Sequence, residues 1–168
     1  MQQSHRTVPP SVSYRAESAF MQAAIDEARV GIYNGDGGPF GSVIARKGRV
    51  VARGHNRVLA STDSTEHGEI DAIRAAERAL GTIDLSGCTL YTTAAPCSMC
   101  LAACLWANVE HVYYGCSLKD SAAIGFRDAR LDALLGGRSR VDGYLESMDR
   151  DACLALFDEY ASLDHTLY

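Results

Sequence analysis

The sequence predicts a layered α/β domain in which helices cover a mixed sheet. Two observations carry this. Residues 40–46 and 49–56 form two β-rich runs separated only by Lys47-Gly48, the pattern of a tight hairpin. Beyond them, helical and strand periodicities alternate towards the C-terminus. A chain of 168 residues is long enough for one domain with one good core.

Residues 1–15 read as a loose tail with Pro9 and Pro10 near its end, and residues 16–168 as a single domain. Ala16 to Tyr33 follows a helical period, with Phe20, Ala24, Ala28 and Val30 or Ile32 along one side. The Gly- and Pro-rich run Asn34 to Pro39 breaks that helix. The two hairpin strands follow, then a polar loop from Arg57 to Thr65. A helix is expected from about Glu66 to Leu80, with Ile70, Ile73, Ala76 and Leu80 on one face and Gly81 closing it. Cys88 to Thr93 reads as a buried strand, Cys97 to Ala107 as a helix, and Glu110 to Gly115 as another strand. A helical stretch is expected around Asp128 to Leu135 and a last strand over Val141 to Glu146. Asp149 to Ser162 is amphipathic, with Cys153, Leu156, Phe157 and Tyr160 as its apolar face.

The formal net charge of −5 argues against a broad phosphate-binding surface, because that affinity comes mainly from Lys and Arg. Residues 1–14 hold no apolar leader, and no run approaches the roughly 18 apolar residues of a spanning helix. The expected location is therefore the cytoplasm, where the six cysteines remain thiols or metal ligands.

The chemistry concentrates in His67-Gly68-Glu69 and, some thirty residues on, Pro96-Cys97-Ser98-Met99-Cys100. His67, Cys97 and Cys100 make three ligands for one tetrahedral Zn2+ per chain, which leaves a fourth position for water, as in catalytic zinc sites. Cys97 and Cys100, three apart, share one helix face, and a helix N-terminus stabilises thiolates. Glu69 is placed to move protons as general base and acid. His67 and Glu69, two apart, would diverge on an ideal helix. Both are therefore expected at a helix start, with the Glu side chain curling back. Two other readings use the same residues. Cys97 and Cys100 alone suit a redox pair, and Cys104 or His111 as a fourth ligand would make a closed structural site. His55 stands out among the remaining histidines because it adjoins Asn56.

The H-x-E and P-C-x-x-C pair is the signature of zinc deaminases of nucleobases. From Ala16 onward the chain resembles the cytidine-deaminase-like superfamily, and within it guanine and guanosine deaminases. The resemblance is carried by Gly37-Gly38-Pro39-Phe40-Gly41, Asn56, Trp106, Gly125-Phe126-Arg127-Asp128 and the terminal Tyr168. It implies a three-layer α/β/α sandwich on a mixed sheet of about five strands. It also implies substrate contacts from Asn56, Asp128, Trp106, Phe40 and Tyr168, and a homodimer whose C-terminal segments exchange. The chain departs from the guanine pattern at Arg127, where an Asp is usual, and at Ala94-Ala95, where Cys-Glu is usual. His67-Gly68-Glu69, Tyr91-Thr92-Thr93 and Gly54-His55-Asn56 resemble fungal cytosine deaminase instead. The implied activity is hydrolytic deamination of guanine or guanosine, with cytosine deaminase as the alternative. A tRNA adenosine deaminase and an inactive zinc-stabilised interaction module stand behind these.

Overall fold

The computed structural model describes residues 17–126 and 145–164. Among the described residues five strands form one sheet in the order β2-β1-β3-β4-β5. They are β1 (Gly41–Arg46), β2 (Arg49–His55), β3 (Cys88–Ala94), β4 (His111–Cys116) and β5 (Leu145–Ser147). β1 runs antiparallel to β2 and to β3, while β3, β4 and β5 are parallel. The sheet is therefore mixed, as expected. The hairpin closes through Lys47 and Gly48, with φ of 50° and 71°, the two positive values that a tight two-residue turn needs.

Successive residues of the inner strands feed two different cores. Val43, Ala45, Tyr91 and Tyr113 pack against α1 (Ser18–Asn34) and the C-terminal helix α6 (Arg150–Ser162). Ile44, Leu90 and Val112 face the other way, where Ala72, Ile73 and Ala76 of α3 (Gly68–Leu80) and Cys104 of α4 (Ser98–Trp106) cover them. This period-2 division builds the three layers. The C-terminal face Cys153, Leu156, Phe157 and Tyr160 is buried as predicted.

Several details differ from the sequence reading. Val30 is 48% exposed, and Met21, Ala24, Ile25, Ala28 and Ile32 form the buried stripe of α1. Phe20 is half-buried, its ring 5.3 Å from that of Tyr91. Helix α3 buries Glu69, Ala72, Ile73 and Ala76, leaving Ile70 and Leu80 at the margin. The buried stripe thus begins on a carboxylate, which a hydrophobicity pattern does not reveal. The 57–65 loop contains a single helical turn, α2 (Val58–Ser61). A further short helix, α5 (Leu118–Ala123), starts at a capping box between Ser117 and Asp120. Of the last strand expected over Val141 to Glu146, Leu145 and Glu146 lie in β5, Leu145–Ser147, and Val141 to Tyr144 lie outside the described residues. The stretch from Asp128 to Leu135 lies outside the described residues.

Candidate active site

Both site helices begin at a metal-ligand candidate. His67 is the N-cap of α3, in extended conformation, and Cys97 is the N-cap of α4, also extended. Gly68 and Glu69 occupy the first turn of α3, and Cys100 the first turn of α4. Cys97 follows the end of β3 by three residues, so the site lies beyond the carboxyl end of a strand shared by both sheet neighbours. Two helix N-termini aimed at one point favour anionic sulphur there.

The three ligand candidates converge. His67 Nδ1 lies 3.7 Å from Cys97 Sγ and 3.6 Å from Cys100 Sγ, and the two sulphurs are 3.6 Å apart. Tetrahedral zinc, with bonds of about 2.3 Å to sulphur and about 2.05 Å to nitrogen, sets two sulphurs about 3.8 Å apart and sulphur and nitrogen about 3.6 Å apart. The three separations match that geometry without rearrangement. Among the described residues these three form the cluster able to hold a metal ion. Cys104 and His111 do not join it. Cys104 packs in the core beneath α4, where burial pushes its thiol up. His111 is buried on β4, its ring centre 4.2 Å from that of Tyr113. Among the described residues no fourth protein ligand joins the three.

The electrostatics suit a metal and a proton carrier. A hydrogen bond from Cys100, supported by His67, holds Cys97 down to about 4 against the effect of burial. Sharing that proton drives Cys100 upward. Glu69 is 6% exposed and in hydrogen-bonding contact with Cys100, so its side chain does curl back to the ligands. Burial, reinforced by the neighbouring Cys97, raises Glu69 to about 7. A carboxyl group near neutrality both takes and gives protons efficiently.

Asn56, immediately after β2, is 1% exposed. Its N–H donates to the Phe40 carbonyl at 2.8 Å, and its Oδ1 accepts the Val58 N–H at 3.2 Å. A Cβ at Gly37 would lie 2.1 Å from Asn56 Oδ1, and one at Gly68 would lie 2.7 Å from the Phe40 oxygen. The backbone at 37, 40, 56 and 68 is thus packed at glycine-only distances, which ties Asn56 to the start of α3. Thr93 closes the far side, accepting from Gly41 N–H and donating to the Pro39 carbonyl, both at 3.1 Å.

The remaining predicted contacts divide. Phe40 places its ring in an aromatic cluster, 4.7 Å from Phe126 and 5.8 Å from Phe157 between centres. Trp106 ends α4 and is 87% exposed, about 13 Å along the helix from Cys97. Asp128 and Tyr168 lie outside the described residues. Sequence reading missed Glu27 and Asp36, which flank the His55 ring at 2.8 and 2.9 Å. Only the position of His55 beside Asn56 pointed there.

Residues 15–116 match the model of the cytidine and deoxycytidylate deaminase zinc-binding region. The chain belongs to this deaminase family. It is 44% identical over 110 residues to guanine deaminase of Bacillus subtilis, covering 66% of this chain and 70% of that protein. It is 45% identical over 96 residues to the tRNA-specific adenosine deaminase of Agrobacterium fabrum, spanning 62% of that protein's length. Among solved structures, guanine deaminase of Nitrosomonas europaea superposes with a TM-score of 0.76 at 31% identity, over 88% of this chain and 86% of that one. A structure solved in complex with 2,6-diaminopurine gives the same TM-score and identity over 91% and 85%. The fold and the zinc-deaminase assignment expected from the sequence both stand, with zinc as the family's metal.

Proposed function

We propose that this zinc deaminase acts on guanine or guanosine, releasing ammonia and leaving the oxo base. The observation that carries the reading is the cluster of His67, Cys97 and Cys100 at zinc-ligand separations with buried Glu69 against it. The choice of base is supported by the identity to a guanine deaminase and by the fold match to a chain bound to 2,6-diaminopurine. A zinc ion held by His67, Cys97 and Cys100 supplies Lewis acidity that makes water a nucleophile at neutral pH. Glu69 takes a proton from the attacking water and delivers it to the ring nitrogen next to the amino-bearing carbon. It then transfers the second water proton to the departing amine, so that ammonia leaves and the carboxylate is regenerated. Burial of Glu69 keeps those protons from bulk water.

Asn56 orients the base by hydrogen bonds, consistent with its fixed, buried position. Asp128 accepts from the ring N–H and amino edge of an aminopurine, as a charged acceptor does strongly. Phe40 forms an apolar wall and Tyr168 closes over the base. Trp106, at the end of α4, adds an aromatic contact to the base, and two copies form a homodimer with exchanged C-terminal segments. Two cysteines on zinc and four buried thiols, Cys88, Cys104, Cys116 and Cys153, suit the reducing cytoplasm.

The test is ammonia release from guanine, guanosine, cytosine, cytidine and adenine, together with a tRNA anticodon stem-loop. Turnover of guanine or guanosine that disappears in Asp128→Ala is the expected result, and cytosine turnover alone would overturn the choice of base. The tRNA-specific relatives favour the stem-loop as the second reading, against which the net charge of −5 weighs.

A further inference from the structure

We propose that His55 is a positioning residue: a doubly hydrogen-bonded imidazolium that ties Glu27 of α1 to Asp36 of the α1–β1 turn and so holds Asn56 and Gly37 in register. The inference rests on the reading of Asn56 as a base-binding residue.

The geometry fixes the charge. His55 Nδ1 lies 2.8 Å from Glu27 Oε1, and Nε2 lies 2.9 Å from Asp36 Oδ2. A neutral imidazole has one N–H, and ionised carboxylates only accept. Both contacts are satisfied together when the ring carries two protons. The His55 side chain is 10% exposed, where such charge-assisted bonds are strong. Helix α1 presses on it, since a Cβ at Gly31 would lie 2.7 Å from Cδ2. A third carboxylate, Asp71 of α3, accepts the His55 backbone N–H at 3.3 Å. The nearby cation of β2, Arg53, donates instead to the Ala23 carbonyl. The ring itself therefore meets a carboxylate at each nitrogen, Glu27 and Asp36, while Asp71 holds the backbone beside it. The Glu27 hydrogen bond above all, and that of Asp36, hold the ring above its ordinary 6.5 against burial.

The triad acts on the neighbouring rung. Asp36 and Gly37 are consecutive, as are His55 and Asn56. The 36–55 bond therefore clamps the same two segments that meet one residue later, where Gly37 packs on the Asn56 amide. The Asp36 carbonyl also accepts the Leu59 and Ala60 N–H groups at 3.1 Å each, which fixes the turn of α2 whose Val58 N–H anchors Asn56 Oδ1. His67, Cys97, Cys100 and Glu69 take no part. Loosening the triad therefore weakens base binding and leaves the chemistry intact.

Two measurements on the zinc-loaded enzyme test this. The 15N spectrum of the wild-type ring should show both His55 nitrogens protonated at pH 7, with deprotonation only above the ordinary histidine range. In His55→Gln, zinc content and kcat should hold within about threefold while KM rises about tenfold or more, the scale of one lost charged hydrogen bond. Adding Glu27→Gln should restore part of that KM, because it removes the carboxylate that lost its donor. A singly protonated ring at pH 7 overturns the proposal, whatever the variants do. So does a His55→Gln enzyme that loses kcat at unchanged KM, or a double variant no better than the single one. Failure of the wild-type enzyme to turn over any base refutes the proposed function instead, and the ring spectrum still decides the triad.

Discussion

Replacing Gly68 by alanine sets two opposed magnitudes against each other at the centre of the site. Helix propensity favours the change: Ala over Gly is worth up to about 1 kcal/mol in a helix interior, and less in a first turn. Packing opposes it. The new Cβ would sit 2.7 Å from the Phe40 carbonyl oxygen, about 0.7 Å short of ordinary contact at 3.4 Å. That oxygen belongs to rigid backbone and already accepts the Asn56 N–H. Inserting a methyl group into such a contact costs about 1–3 kcal/mol. Packing therefore wins, with a net loss of about 1 kcal/mol or more, or roughly 2–4 °C in Tm for each kcal/mol in a domain of this size. The displacement falls between His67 and Glu69 on one side and Asn56 on the other. Misplacement by 1 Å can cost about 100-fold in rate, so kcat/KM should fall by roughly tenfold or more. Thermal unfolding and steady-state deamination, with zinc content measured alongside, read both effects. A Gly68→Ala enzyme with an unchanged or higher Tm and wild-type kcat/KM would refute the steric reasoning.

Cys97→Ala and Cys100→Ala should each lower zinc affinity by more than about 100-fold, and lower the unfolding midpoint with it, as read by metal analysis and denaturation. Glu69→Gln should keep zinc and fold yet lose about 10²–10⁴ in kcat, since an amide cannot carry protons; near wild-type turnover would remove Glu69 from the mechanism. The raised pKa of His55 predicts a stability contribution fully present below its ordinary 6.5 and lost as pH rises through the raised folded value. Denaturant titrations should therefore show the stability gap between wild type and His55→Gln narrowing as pH rises through that range.

Local pattern by itself pointed to the hairpin at Lys47-Gly48, the buried stripe of α6, and His67, Cys97, Cys100 and Glu69 as the site candidates. Each rests on short-range spacing, within the hairpin, within α6, or within H-x-E and P-C-x-x-C taken separately. Only the tertiary structure decided how far the ligands stand from one another, because the 29 residues between His67 and Cys97 enclose a helix and a strand whose packing sets that distance. It also decided that Trp106 faces outward and that Val30 does not enter the core. Apolar residues at a helix margin carry no mark of which neighbour will cover them. The ring of His55 gives the sharpest contrast. Its partners come from positions 27 and 36, one on a helix and one in a turn. No spacing rule links them, because their meeting depends on α1 lying against the end of β2.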